Sequence, residues 1–224
     1  MIDFKKIPIF NALNASDMEE AKPYLIPAKF SKKEVIFSEG DSSDWLYVVI
    51  KGKVKITKLS QSGREIILEI ITPMDFFGGV AVMRRFPYPA NAVAMDDTEL
   101  LKISRSNLMR ILDRFPNLMY CMAMNIGDRI KGSHEKLKNI AVEKVESRIA
   151  SMLIKLADKI GAKTDGAVVI DMKLTKQDIA EMVGTTVETS IRTMSKFKKL
   201  GIVSEKGRKI AIKDINKLKT LCGE

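Results

Sequence analysis

The chain has 224 residues, of which 46% are hydrophobic and 29% charged, a composition that can bury a core and that excludes a disordered or fibrous protein. Its 38 lysines and arginines against 28 acidic residues leave a formal charge of +10, which makes a polyanion the first partner to consider. Two distant cysteines, Cys121 and Cys222, and a single histidine, His134, argue against a zinc site or a cysteine-held iron–sulfur cluster.

The opening MIDFKKIPIF has neither a long apolar core nor a small-residue cleavage site, and no later stretch approaches eighteen uncharged apolar residues. A soluble, cytoplasmic protein with no membrane partner is expected. A short helix is predicted over residues 14–22, capped by Asn14 or Ser16. From about residue 29 to 103, glycines at 40, 52, 63, 78 and 79 punctuate β-rich runs at 34–37, 45–50, 54–59, 66–71, 92–94 and 99–103. Short strands at this spacing predict an antiparallel sandwich or barrel.

After Pro116 a proline-free helix is predicted over residues 117–140. Met119, Met122, Ile126, Ile130, Leu137 and Ile140, with Ser133 at the intervening step, recur at spacings of three and four, which is a seam of a/d type. Such a helix either packs on its own domain or dimerises, and its place between a β domain and a basic domain favours dimerisation. Helix is expected again over 142–160, then a loop containing Gly161, Asp165 and Gly166, a strand at 168–172, two helices with a tight connection, and a hairpin over 202–212. From Lys138 onward 18 basic residues face 11 acidic ones, so seven of the ten excess charges lie in the last 87 residues.

Within the basic region, LTKQDIAEMVGTTVETSIR contains two helix starts separated by a glycine. Thr175 and Asp178 have the spacing of a capping box, and Thr186 can cap the second helix. Ile179, Ala180 and Val183 are expected to face the core from the first helix, and Ile191, Met194 and Phe197 from the second. The pattern is that of a helix-turn-helix, with a generic helical hairpin as the alternative. The basic groups Lys196, Lys198, Lys199, Lys206, Arg208 and Lys209, with the hydroxyls of Thr175, Thr186 and Thr189, are candidate phosphate contacts on double-stranded DNA. On the first turns of the second helix, Glu188 could accept from a cytosine amino group and Arg192 could reach guanine O6 and N7; a surface ion pair between the two is the alternative.

With EGDSSDWLYVVIKGKVKI and DFFGG in the glycine-punctuated region and LTKQDIAEMVGTTVETSIRTMSKFKKLGIV near its end, the sequence resembles the Crp/Fnr transcription regulators over almost its full length. The resemblance implies an α+β protein. Residues 1–115 would form an effector-sensing antiparallel β-roll of the cyclic-nucleotide-binding type, double-stranded and jelly-roll-like. Residues 116–141 would form a dimerisation helix, and 142–224 a winged helix-turn-helix. It also implies a homodimer on a palindrome with TGA-containing half-sites, and RNA polymerase as a further partner. Base reading would fall on Val187, Glu188, Ile191 and Arg192; Val187 is similar to the Fnr branch, whereas Ile191 matches neither branch.

The resemblance implies an effector pocket as well, formed by Gly78, Gly79, Val80, Arg84, Arg85, Tyr88, Pro89 and Ala90 with Ser133 and His134 of the helix. Members that bind cyclic AMP carry a glutamate where this chain has Gly79, and an arginine followed by serine or threonine where it has Pro89 and Ala90. Without that arginine the cyclic phosphate loses a charge-assisted partner worth about 1.5 to 3 kcal/mol, which argues against cyclic AMP unless Arg84 or Arg85 substitutes. The cysteine group of the Fnr iron–sulfur sensors is absent before Cys121. His134 is read either as a solvated or interface residue or as a haem ligand. Met74, Phe76, Phe77, Met83, Phe86 and Tyr88 either fill the roll or line a site for an apolar small-molecule effector. A regulatory module whose main partner is a protein remains the alternative function. No HExxH, GxSxG or P-loop supports an enzyme.

Overall fold

The computed structural model describes residues 7–61, 63–164 and 166–222, with the side chain of Lys206 outside the description. It divides into two compact units, 1–132 and 133–224.

In the first unit a 3-10 turn (Pro8–Phe10), helix α1 (Ala15–Ala21) and a second 3-10 turn (Lys22–Tyr24) lead into a roll. The roll comprises β1 (Ile26–Phe30), β2 (Val35–Phe37), β3 (Trp45–Lys51), β4 (Val54–Leu59), β5 (Glu65–Ile71), β6 (Phe76–Phe77), helix α2 (Gly79–Arg84), β7 (Asn91–Ala94) and β8 (Thr98–Ser104), followed by helix α3 (Arg105–Arg114). Two antiparallel sheets, in the orders β1-β8-β3-β6 and β2-β7-β4-β5, face each other. Their shared interior holds Tyr47, Val49, Val54, Ile71, Phe77 and Leu100. On the other side of β3, Leu46 and Val48 pack with Phe10, Leu108, Ile111, Leu118 and Met122. Both faces of β3 are therefore covered, and the period-two alternation of a half-buried strand is replaced by the continuous apolar run WLYVVI.

Helix α4 (Asn117–Val142) starts in the first unit and ends in the second. The second unit continues with α5 (Val145–Ile160), β9 (Gly161–Thr164), β10 (Ala167–Ile170), α6 (Lys176–Val183), α7 (Val187–Lys199), β11 (Val203–Lys206), β12 (Lys209–Ile212) and α8 (Ile215–Leu221). Its sheet has the order β11-β12-β10-β9. Gly207 and Arg208 both take positive φ, the signature of a two-residue hairpin turn whose twist matches the strands it joins.

The structure departs from the sequence expectations in identifiable places. Strand β1 carries Pro27 and lies at a sheet edge, where a missing N–H costs no ladder bond, so the proline hid a real strand. Strand β9 occupies the expected loop at Gly161, and β10 ends at Ile170 rather than 172. The break between the two long helices falls at residues 143–144, later than expected. Met122 is not a seam residue: it is 1% exposed and belongs to the core of the first unit.

Candidate nucleic-acid interface and sensor region

Helix α6 begins with a complete capping box: Thr175 Oγ1 accepts from the Asp178 N–H at 3.0 Å, and the Thr175 N–H donates to Asp178 Oδ2 at 2.8 Å. It ends at Gly184, whose φ of +69° makes the left-handed exit that a glycine accepts without strain. Thr186 then caps α7, accepting from the Thr189 N–H at 3.2 Å. The tight connection between the helices is held from α5 by Arg148, which donates to the carbonyls of Val183 at 3.1 Å and Glu143 at 2.9 Å. Nothing in the sequence pattern distinguishes this arginine from a surface one.

At 100° per residue, Ser190, Thr193, Met194 and Phe197 fall on one side of α7, and all four are buried. Glu188, Ile191, Arg192, Ser195 and Lys199 fall on the opposite side, and all five are exposed. Ile191, expected in the core, is 47% exposed and belongs to this outer face with the other base-reading candidates; Val187 is half-buried beside them. Arg192, Ser195, Lys196, Lys199 and Leu200 line a cleft of about 430 Å³ on the same surface.

The basic groups here fall into two classes. Lys196 is paired with Glu146, Lys198 and Lys176 with Glu205, and Lys209 with Asp171. Arg192, Lys199 and Arg208 make no ion pair among the described residues, so their charge is available to an external anion without a prior bond to break. The Lys206 side chain lies outside the described residues.

Glu205 ties the hairpin to both helices. Burial pushes its carboxyl up, but the hydrogen bonds from Lys176 and Lys198 outweigh that and hold it below its ordinary value of 4.5. The folded state thus favours the ionised form; the resulting stability is present above pH 4.5 and is lost as the pH falls through the lower folded value. We expect Glu205→Gln to lower the thermal midpoint at pH 7, and the gap from the parent protein to close as melting is repeated below about pH 4.5. A gap that persists at acid pH would mean that Glu205 acts through packing alone.

The residues expected to bind an effector differ in exposure. Tyr88 is 2% exposed and stacks on Phe37 with ring centroids 3.7 Å apart; its hydroxyl donates to the Trp45 carbonyl at 2.5 Å and accepts from the Trp45 N–H at 3.1 Å. Burial pushes this phenol well up, which keeps it a neutral donor. A Cβ at Gly79 would lie 2.9 Å from Leu46 Cδ1 and 3.3 Å from Met122 Cε, so a side chain there would require the core to shift. Gly78 (φ +81°) and the buried Ala90 complete the inner set, whereas Val80, Arg84, Arg85 and Pro89 face outward. Ser133 and His134 belong to the second unit and are exposed. For haem the requirement is an apolar wall around the ligating imidazole. On α4, His134 has Lys131 and Lys138 to one side and the exposed apolar Ile130 and Leu137 to the other.

Along α4, Met119, Ile130, Leu137 and Ile140 are exposed and Ile126 partly so, with Ile130 at 51% and Leu137 at 65%. No helix of the described residues is long and apolar enough to cross a membrane.

Two family models match the chain: the cyclic nucleotide-binding domain over residues 27–115 and the Crp-like helix-turn-helix domain over 147–221. The CRP-like cAMP-activated global transcriptional regulator of Mycobacterium tuberculosis is 27% identical over 94% of both chains. The anaerobic regulatory protein of Haemophilus influenzae is 28% identical over 94% of this chain and 82% of that one. Among solved structures, FixK2 from Bradyrhizobium japonicum superposes with a TM-score of 0.78 at 23% identity, over 88% of this chain and 96% of that one.

Proposed function

The chain belongs to the Crp/Fnr family of DNA-binding transcription regulators, and from that premise we propose that it binds a palindromic site as a homodimer under the control of an effector at the roll. The observation that carries the reading is the outer face of α7. A helix capped at Thr186 and anchored by Met194 and Phe197 presents Glu188, Ile191 and Arg192 together, with Arg192 unpaired among the described residues. An arginine so placed can give two hydrogen bonds to guanine, and a glutamate in a basic unit can accept from cytosine. Phosphates would be met by Lys199 and Arg208 directly, and by Lys196, Lys198 and Lys209 through exchange with their acidic partners; the capped helix starts at Thr175 and Thr186 would add amide donors, with Thr189 beside the second. A cytoplasmic location and contact with RNA polymerase go with this reading.

The exposed stripe on α4 supports a second copy of the chain as the partner, because Ile130 and Leu137 recur at heptad spacing on one face and the same residues of a second copy would cover them. Although the Mycobacterium tuberculosis relative is cAMP-activated by name, Gly79, Pro89 and the buried Tyr88 support a different effector here.

The test is fluorescence anisotropy of the full chain on duplexes with TGA-type palindromes, over a range of salt. Arg192→Ala is expected to weaken the cognate duplex by about 1 to 3 kcal/mol per half-site while hardly changing binding to scrambled DNA. Lys199→Gln is expected to weaken both duplexes and to reduce the salt slope by about two, one for each copy of the chain in the dimer. If Arg192→Ala and Glu188→Ala leave sequence preference unchanged, the base-reading assignment is wrong.

A further inference from the structure

A second concavity lies outside the roll interior. The β2–β3 connection, the turn after α2 and the start of α3 enclose an open cleft of about 520 Å³, within the size range of small-ligand sites, lined among others by Ser42, Asp44, Arg85, Phe86, Pro87 and Arg105. Its walls are tied together. Ser43 Oγ donates to the Phe86 carbonyl at 2.7 Å, and the Tyr88 N–H donates to the Asp41 carbonyl at 2.9 Å. Arg105 spans α2 and the loop, giving Nε to the Val82 carbonyl at 3.0 Å and its backbone N–H to the Asp44 carbonyl at 2.9 Å.

Three features point to a ligand. Arg85 ends α2 at φ +58°, a left-handed conformation rare for a residue with a side chain, and makes no hydrogen bond or ion pair among the described residues. Phe86 leaves a large ring 39% exposed at the rim beside Pro87. The lining carries two guanidinium groups against one carboxylate, and Asp44 pairs with neither arginine. From this we infer that the cleft binds a small organic anion, a phosphate monoester or carboxylate bearing an apolar group, with its charged head between Arg85 and Arg105 and its body against Phe86 and Pro87.

The site has a route to α4. Arg85 caps a six-residue helix whose first residue, Gly79, abuts Met122 of α4 and Leu46 of β3. An anion that draws on Arg85 pulls one end of an element whose other end touches the helix proposed to dimerise. This consequence rests on the effector-controlled reading given above; the binding itself does not.

Trp45, the only tryptophan, follows Asp44 and reports on the cleft by its fluorescence. The full chain is titrated at constant ionic strength with phenyl phosphate, benzoate and inorganic phosphate, followed by calorimetry and by Trp45 emission. Saturable binding of phenyl phosphate or benzoate is expected, with inorganic phosphate at least about tenfold weaker because it lacks the apolar body. Arg85→Gln, an exposed position, should weaken the aromatic anion at least about tenfold, and Asp44→Asn should tighten it by removing the like charge. Absence of saturation by any of the three probes, an unaffected Arg85→Gln protein, or weaker binding in Asp44→Asn overturns the proposal. Binding with the expected pattern but no change in DNA affinity leaves the site standing and removes its role as the effector site.

Discussion

Replacing Ile130 and Leu137 together with aspartate is expected to leave the protein monomeric and to reduce its affinity for the palindrome by about 10³-fold, towards its level on non-specific DNA. The two residues are seven apart, so they lie within about 20° of each other on α4, and each is exposed by half or more. In a parallel pair each aspartate would face its own copy across the seam, where like charges in a drying interface repel. A monomer can engage only one half-site. Because both side chains are exposed in the single chain, the substitution leaves the fold intact, which the Trp45 emission and its thermal midpoint would verify. Met124 is the control: it is also exposed, but it sits about 120° from Ile130 around the helix, and Met124→Asp should keep both the dimer and the affinity. Sedimentation of the doubly substituted protein as a dimer with unchanged DNA binding would remove the seam from this face of α4.

The seam also shows how far a sequence can be read. Spacing alone placed Met122 in line with Met119 and Ile126, because a period of three and four cannot tell which of two neighbouring stripes turns inward. Tertiary packing decides the matter: Met122 joins Leu46, Val48 and Leu118 in the core on the outer side of β3, where Gly79, with no Cβ, leaves room for its methyl. Ile191 failed in the opposite direction. Its apolar character suggested the core, but at 100° per residue it sits with Glu188 and Arg192, whereas Ser190 and Thr193 take the buried side. The caps at Thr175 and Thr186 were legible because capping is local chemistry, a hydroxyl three residues ahead of the amide it satisfies. The clamp by Arg148 and the bridge by Glu205 were not, because their partners lie about 30 residues or more away or on two different elements, and no periodicity encodes them.

The distinction between the faces of α7 leads to the second large effect. Phe197 is 0% exposed and anchors the recognition helix from its inner side, with Met194 one turn earlier; Phe197→Ala should cost about 3 to 5 kcal/mol through lost contacts and the cavity left behind. In a unit of this size each kcal/mol moves the midpoint by about 4 to 8 °C, so the second unit should melt at least roughly 12 °C earlier. Trp45 lies in the first unit, whose internal core does not include Phe197, so its emission should report a nearly unchanged midpoint while helical circular dichroism shows the early loss. Ile191→Ala removes a similar apolar group from the exposed face and should shift neither signal by more than a degree or two, yet it should alter base preference in the anisotropy assay. Equal thermal effects for the two substitutions would contradict the assignment of inner and outer faces, and with it the placement of Glu188 and Arg192 towards DNA. Early melting confined to Phe197→Ala, with altered sequence preference confined to Ile191→Ala, would separate the residue that holds the helix from one that helps it read.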